Sequence, residues 1–239
     1  MIVDGINVVR ELLKASLKIE KIVAVETENN DIIKLVDKAR AMGIKVEILQ
    51  KKDFERKVKV KNQGIVAYIP EFKYCDIKDI IVAAERKQEN PFMVILDGIV
   101  DPHNLGAIIR TCECAGVHGV IIPQNRACEV NETVYRTSAG AVIHMNVAMV
   151  TNLTRTIKEL QKQGVWVYAL VAGNKKLYEA DFTYPTAIVV GSEGKGVSRL
   201  VKASVDEILS LQMFGQVNSL NASNASAVAV YEVVRQRKN

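Results

Sequence analysis

At 239 residues, 49% of them hydrophobic and 25% charged, the chain is long enough to bury one large or two small cores, and it is not compositionally disordered. Its apolar runs are no longer than strands, which excludes a membrane-spanning segment, and the opening "MIVDGINVVREL" lacks the pattern of a secretory leader. The net charge of +5 is modest and lies mostly at the front, where residues 1–70 hold 14 Lys and Arg against 10 Asp and Glu.

Apolar residues recur at helical spacing over Gly5–Ala15 and Asp31–Met42, while "IVAVE", "KVEIL" and "GIVAYIP" read as strands. These elements predict a small α/β unit over residues 1–70. The run "KKDFERKVKVK" (Lys51–Lys61) holds six basic residues against two acidic ones. It is either a solvated face or a phosphate-binding patch, with Lys57, Lys59 and Lys61 as the candidate contacts. A charged helix in "CDIKDIIVAAERKQEN" then fills residues 71–90, the expected linker.

From residue 91 the alternation restarts with longer strands: "FMVILD", "GVIIP", "MNVAMV", "VWVYALV", "AIVVG" and "EILSL". Helical stretches such as Leu105–Ala115 and Asn152–Gln163 separate several of them. Near-continuous β-branched runs alternating with helices predict a parallel sheet covered on both faces over residues 91–239. Such sheets bind ligands in the loops beyond the carboxyl ends of their strands. Three loops therefore matter: "DGIVDPHNLGAIIR", "GSEGKG" and "MFGQVNSLN".

"GSEGKG" (Gly191–Gly196) follows a strand, and its glycines allow close backbone approach to a ligand. It is not a phosphate loop of the G-x-x-x-x-G-K-[ST] type, and no G-x-G-x-x-G follows any strand. Glu193 places a carboxylate in its middle. In the first loop Asn104 is placed to cap a helix, and Arg110 sits beside Ile108 and Ile109, near the core side. In the third, Ser219 and Asn221 precede the closing helix, whose Ala222, Ala225, Ser226 and Ala229 form a small-residue stripe for internal packing or a dimer contact. Four dispersed cysteines (Cys75, Cys112, Cys114, Cys128) and three dispersed histidines (His103, His118, His144) point to reduced thiols and away from a metal centre.

Taken in order, the three loops resemble the three motifs of the SpoU family, RNA 2′-O-ribose methyltransferases of the SPOUT class. The matching stretches are "LDGIVDPHNLGAIIRTCECAGVHGVIIP", "AIVVGSEGKGVSRL" and "LQMFGQVNSLNASNASAVAVYEVVRQR". "YRTSAGAVIHMNV" and "TNLTRTIKELQKQGVWVYAL" between them also look like that family. "DGINVVRELL" and "NQGIVA" resemble the substrate-binding domain of the branch that methylates a guanosine of 23S ribosomal RNA.

The resemblance implies an α/β protein with a C-terminal trefoil-knotted, parallel-sheet SPOUT methyltransferase domain and a small N-terminal RNA-binding domain. It implies a cytoplasmic homodimer that contacts its copy through the knotted domain. It implies S-adenosyl-L-methionine held around Gly191, Leu211 and Leu220, with Met213 and Phe214 lining the site. Asn104, Arg110, Glu193, Ser219 and Asn221 match the family's functional polar positions; the family proposal has Arg110 activate the ribose hydroxyl, and a guanidinium is better suited to gripping the target phosphate and stabilising the developing alkoxide. Two departures stand out: Leu211-Gln212-Met213 replaces the usual Ile-Pro-Met, and Asn224 and Ser226 occupy positions where the family carries small or β-branched apolar residues. Transfer RNA is the alternative substrate, and a catalytically silent RNA-binding or ribosome-assembly protein on the same fold is the rival function.

Overall fold

The structure, a computed structural model, describes residues 1–58, 63–173 and 175–238. In chain order its regular elements are β1 (Ile2–Asp4), α1 (Ile6–Lys14), β2 (Lys21–Val25), α2 (Asn30–Ala41), β3 (Val46–Leu49), α3 (Lys51–Lys57), β4 (Ile65–Tyr68), α4 (Ile77–Arg86), β5 (Phe92–Asp97) and α5 (Pro102–Cys114). There follow β6 (Gly119–Pro123), α6 (Glu132–Thr137), β7 (Val147–Val150), α7 (Leu153–Lys162), β8 (Trp166–Leu170), β9 (Thr186–Gly191), α8 (Arg199–Lys202), β10 (Glu207–Leu209) and α9 (Ala222–Lys238). The chain divides into two compact units, one of Met1–Lys73 with Val130–His144, the other of Tyr74–Glu129 with Met145–Asn239.

The first unit is a four-stranded sheet in the order β1-β4-β2-β3, in which only β2 and β3 are parallel. Val8, Val9, Leu12 and Leu13 of α1 are buried along one helical stripe. The excursion from Val130 to His144 belongs to this unit. Asn131 starts α6 by accepting hydrogen bonds from the N–H groups of Thr133 (3.0 Å) and Val134 (3.1 Å). Arg136 of that helix then donates to the buried Asp4 carboxylate at the end of β1, 3.1 Å away.

The second unit is a six-stranded, wholly parallel sheet in the order β10-β8-β9-β5-β6-β7. Successive strand residues face opposite sides, and both sides are apolar: Met93, Ile95, Ala187 and Val189 join one core cluster, while Val94, Leu96, Ile188 and Val190 are equally buried. Helix α7 packs on β8, and α9 packs on both β9 and α5. The stretch expected as a linker contributes α4 to this unit, and its Ile80 is fully buried in the cluster. Ile80 sits so close to Gly119 of β6 that a Cβ there would lie 2.5 Å from its side chain. Among the described residues no helix is long and apolar enough to cross a membrane.

Order in the sheet places the ligand end. From β5 the chain runs outward through β6 and β7, then crosses to β8 on the other side and returns through β9 to lie beside β5. The adjacent carboxyl ends of β5 and β9, where Asp97 pairs with Gly191, mark the point at which the winding reverses.

Candidate active site

Three loops leave the carboxyl ends of the strands and meet there. Gly191 closes β9, and a Cβ on it would lie 2.1 Å from the carbonyl carbon of Gly196 and 2.2 Å from the nitrogen of Val197. Real Cβ atoms do not approach backbone so closely, so only glycine lets the loop fold back across its own strand. Asp97 fixes that fold at both ends. Its carbonyl accepts from the Ser192 N–H (3.1 Å), and its carboxylate accepts from the Ser198 N–H (2.7 Å).

The folded-back loop presents Glu193. Its Oε1 accepts a hydrogen bond from the side-chain amide of Asn104 (2.9 Å) and a shorter one from that of Asn221. The Asn221 amide also donates to Oδ1 of Asn104 at 3.0 Å, which closes a ring of three side chains drawn from three loops. The amide orientation is set locally, because Asn221 Oδ1 caps α9 by accepting from the Ser223 N–H (2.8 Å) and hydroxyl (2.5 Å). Its nitrogen is thereby turned toward Glu193.

Beside this ring lies a crevice of about 200 Å³. Leu170 at the end of β8, Gly191, Leu211, Met213, Ser219 and Leu220 are among its lining residues. Leu211 and Met213 face it in extended alternation, while Gln212 between them is exposed. A crevice with apolar walls and a carboxylate at its rim suits a ligand that combines a flat apolar moiety with positive charge.

Several expectations are corrected. Asn104 does not cap α5: Asp101 does, accepting from the His103 N–H at 2.9 Å, and this frees Asn104 for the ring. Arg110 is not on the core side. Ile108, Ile109 and Cys112 fill the buried stripe, and Arg110 is exposed, with no side-chain hydrogen bond or ion pair among the described residues. Phe214 is 92% exposed and does not line the crevice. Ala222, Ser226 and Ala229 of the small-residue stripe are buried within the chain, while Ala225 is half-buried and lines the crevice; Ser226 satisfies its hydroxyl on the Ala222 carbonyl (2.8 Å).

Sequence reasoning missed Asp97, whose position as the last residue of a buried strand facing the loop was the available signal. It also missed Val171, Ala172 and Asn218 in the crevice wall. Neither the partly buried Cys75 nor the fully buried Cys112 is poised as a nucleophile: burial pushes the Cys112 thiol up, and burial with Asp79 pushes Cys75 up to about 11. Among the described residues no group of His, Cys, Asp and Glu converges to hold a metal.

The first part of the basic run, Lys51–Lys57, forms α3. Its Lys57 is held by Glu47, with Nζ 2.5 and 2.7 Å from the two carboxylate oxygens. Lys59 and Lys61 lie outside the described residues.

Comparison with known proteins agrees with this architecture. Residues 91–231 match the model of the SpoU rRNA Methylase family, and residues 2–75 match that of the RNA 2′-O ribose methyltransferase substrate-binding domain. A Bacillus subtilis protein assigned to the TrmH family of tRNA/rRNA methyltransferases, YacO, is 41% identical over 98% of this chain and 95% of its own length. The SpoU methyltransferase AviRb of Streptomyces viridochromogenes, solved with AdoMet, superposes with a TM-score of 0.84 at 22% identity, covering 100% of this chain and 90% of AviRb. The A. aeolicus TrmH/SpoU tRNA-modifying enzyme reaches 0.57 at 27% identity, covering 66% of this chain and 85% of that enzyme. Fold, family models and relatives together define an RNA methyltransferase. The chain belongs to the SpoU rRNA Methylase family.

Proposed function

We propose that this protein methylates a ribose 2′-hydroxyl of RNA with S-adenosylmethionine, and that its target is a guanosine of 23S ribosomal RNA. One observation carries the reading: the Asn104–Glu193–Asn221 ring stands at the rim of the crevice walled by Gly191, Leu211, Met213 and Leu220. When bound, S-adenosylmethionine supplies a methyl group on a positively charged sulfur and leaves as a neutral thioether.

The chain's own residues position the acceptor. Leu211, Met213 and Leu220 would hold the apolar part of the donor, and backbone at Gly191 would meet its polar edge. Glu193 has Oε1 engaged by two amides, which leaves Oε2 as the acceptor toward which a ribose hydroxyl is turned. Ser219, exposed at the crevice, offers a further hydroxyl. The guanidinium of Arg110 presents a fixed fork of N–H donors, so it grips the target phosphate and stabilises the developing alkoxide. It does so independently of Asn104: six residues apart on one helix, the two side chains point about 120° away from each other.

The first unit then holds RNA, with Lys59 and Lys61 as phosphate contacts, while Lys57 of the same run is engaged by Glu47. The ribosomal target is supported by the match of residues 91–231 to the SpoU rRNA Methylase family. The reading includes a trefoil-knotted path through the second unit, a cytoplasmic location, and a homodimer through the exposed face of α9, where Val228 and Tyr231 are uncovered.

The test is labelled methyl transfer to unmodified rRNA and tRNA pools, followed by mapping of the modified position. Label in a ribose of the large rRNA is expected. Label in tRNA alone would overturn the target, and label on a base would overturn the chemistry.

A further inference from the structure

We infer that the groove at the amino ends of β8 and β9 is a second binding site, one that takes the arginine or lysine side chains of a basic protein segment. It stands apart from methyl transfer, since β8 carries the crevice at Leu170 and this groove at Trp166, about 13 Å along the strand.

The groove encloses about 560 Å³, within the range of roughly 300–1,000 Å³ that ligand sites occupy. Trp166, Tyr168 and Tyr184 supply its aromatic faces. Strand register explains why a tryptophan there is uncovered. β10 begins with Glu207 opposite Tyr168, so nothing pairs with Trp166 on that side, and it is 49% exposed. Tyr184 is 64% exposed. Trp166 and Tyr168 have ring centroids 6.5 Å apart, and Tyr168 is anchored by donating its hydroxyl to the Asp181 carbonyl (2.9 Å).

Charge selects the occupant. Of the ionisable side chains lining the groove, Lys175 is neutralised by Glu207 at 2.7 Å, which leaves Glu179 and Asp181. Glu179 accepts from the Lys176 N–H (3.0 Å) through Oε2, and the Lys176 ammonium, 3.8 Å from Oε1 and outside the groove, is at the limit of an ion pair, so the carboxylate charge stays largely uncompensated. Asp181 accepts from the N–H and hydroxyl of Thr183 through one oxygen, and among the described residues nothing donates to the other. Burial pushes the Tyr168 phenol up to about 12, with smaller contributions from the nearby Glu207, Asp181 and Asp206 carboxylates.

A chain of net charge +5 thus carries a local surface where aromatic faces and carboxylates converge. That combination attracts a guanidinium or ammonium group through ring quadrupole and charge together. It repels an RNA backbone. The groove is larger than one cationic head group, which fits neighbouring side chains of a peptide better than a single free ion. Basic segments are what proteins that share an RNA with this enzyme would offer.

Trp166 is the only tryptophan of the chain, so its fluorescence reports on the groove directly. The full-length protein is titrated with an arginine- and lysine-rich peptide, with spermidine, and with oligouridylate. The peptide is expected to give a saturable, salt-sensitive change. The double variant Glu179→Gln/Asp181→Asn, which keeps the Thr183 acceptor, should weaken binding roughly three- to thirty-fold, as should Tyr184→Ala. Thermal stability and methyl transfer to protein-free RNA should be unaltered in both. Absence of a saturable change, equal binding by the variants, spermidine binding as tightly as the peptide, or oligouridylate producing the change would each overturn the assignment.

Discussion

The side-chain amide of Asn221, at the start of the closing helix, donates to Oδ1 of Asn104, 117 residues earlier, at 3.0 Å. Both amides converge on Glu193, so one carboxylate depends on loops from three separated parts of the sequence. The run of Asn and Ser before α9 is polar for this reason: Asn221 caps the helix with its oxygen and completes the ring with its nitrogen.

These two duties can be separated. Asn221→Ser retains a capping hydroxyl and loses the amide, so thermal stability should be kept while kcat/KM falls roughly ten- to hundred-fold, the worth of hydrogen bonds to a charged group. Asn221→Ala should show the same kinetic loss plus about 1 kcal/mol of destabilisation. Equal activity of the serine variant and the parent would remove the ring from the mechanism.

Gly191 and Gly194 lie in one loop and should respond oppositely. A Cβ at Gly191 meets backbone at 2.1 Å, whereas one at Gly194 meets nothing within 4 Å. Gly191→Ala should cost about 3 kcal/mol or more and abolish cofactor binding. Gly194→Ala should be silent in both urea unfolding and calorimetry with S-adenosylhomocysteine.

Much of this site was legible in the sequence because loops at strand ends advertise themselves: Glu193 between glycines, and Ser219 and Asn221 before a helix. What a single residue does there was less legible. Asn104 and Asp101 are both good helix caps three residues apart, and only the observed bond from His103 shows that Asp101 wins. Arg110 beside two isoleucines looked near the core, yet the stripe through Ile109 and Cys112 turns it outward. The three-residue β1 was too short to carry a period, and nothing local in Val130–His144 reveals that it belongs with the first unit.

The basic run is divided by an ion pair. Glu47 holds Lys57 and is itself held below the usual carboxylate range by it. Lys57→Gln should therefore change RNA affinity little, while Glu47→Gln frees a cation and should tighten binding. Neutralising Lys59 and Lys61 should weaken binding and lower the salt slope by about one for each phosphate left without its lysine. A salt slope unchanged by all of these substitutions would exclude the run as an RNA-binding surface.

Asp4 should make the first unit sensitive to pH in an unusual direction. Burial raises its carboxyl against the opposing pull of Arg136, and its Oδ2 has no hydrogen-bond partner among the described residues. A carboxyl raised on folding favours the native state most below its unfolded pKa of about 4, and that contribution is lost as pH climbs through the folded value. Asp4→Asn should therefore match the parent at about pH 3.5 and gain on it toward about pH 7 in urea unfolding. A variant that instead loses stability with rising pH would show that Arg136 outweighs burial.

Crystals grown with S-adenosylhomocysteine show whether the crevice beside Glu193 receives the methyl donor, as proposed. The ligand is expected between Gly191, Leu211 and Leu220, with the Asn104–Glu193–Asn221 ring intact at its edge. Ligand bound elsewhere, with that crevice filled by its own side chains, would contradict that proposal.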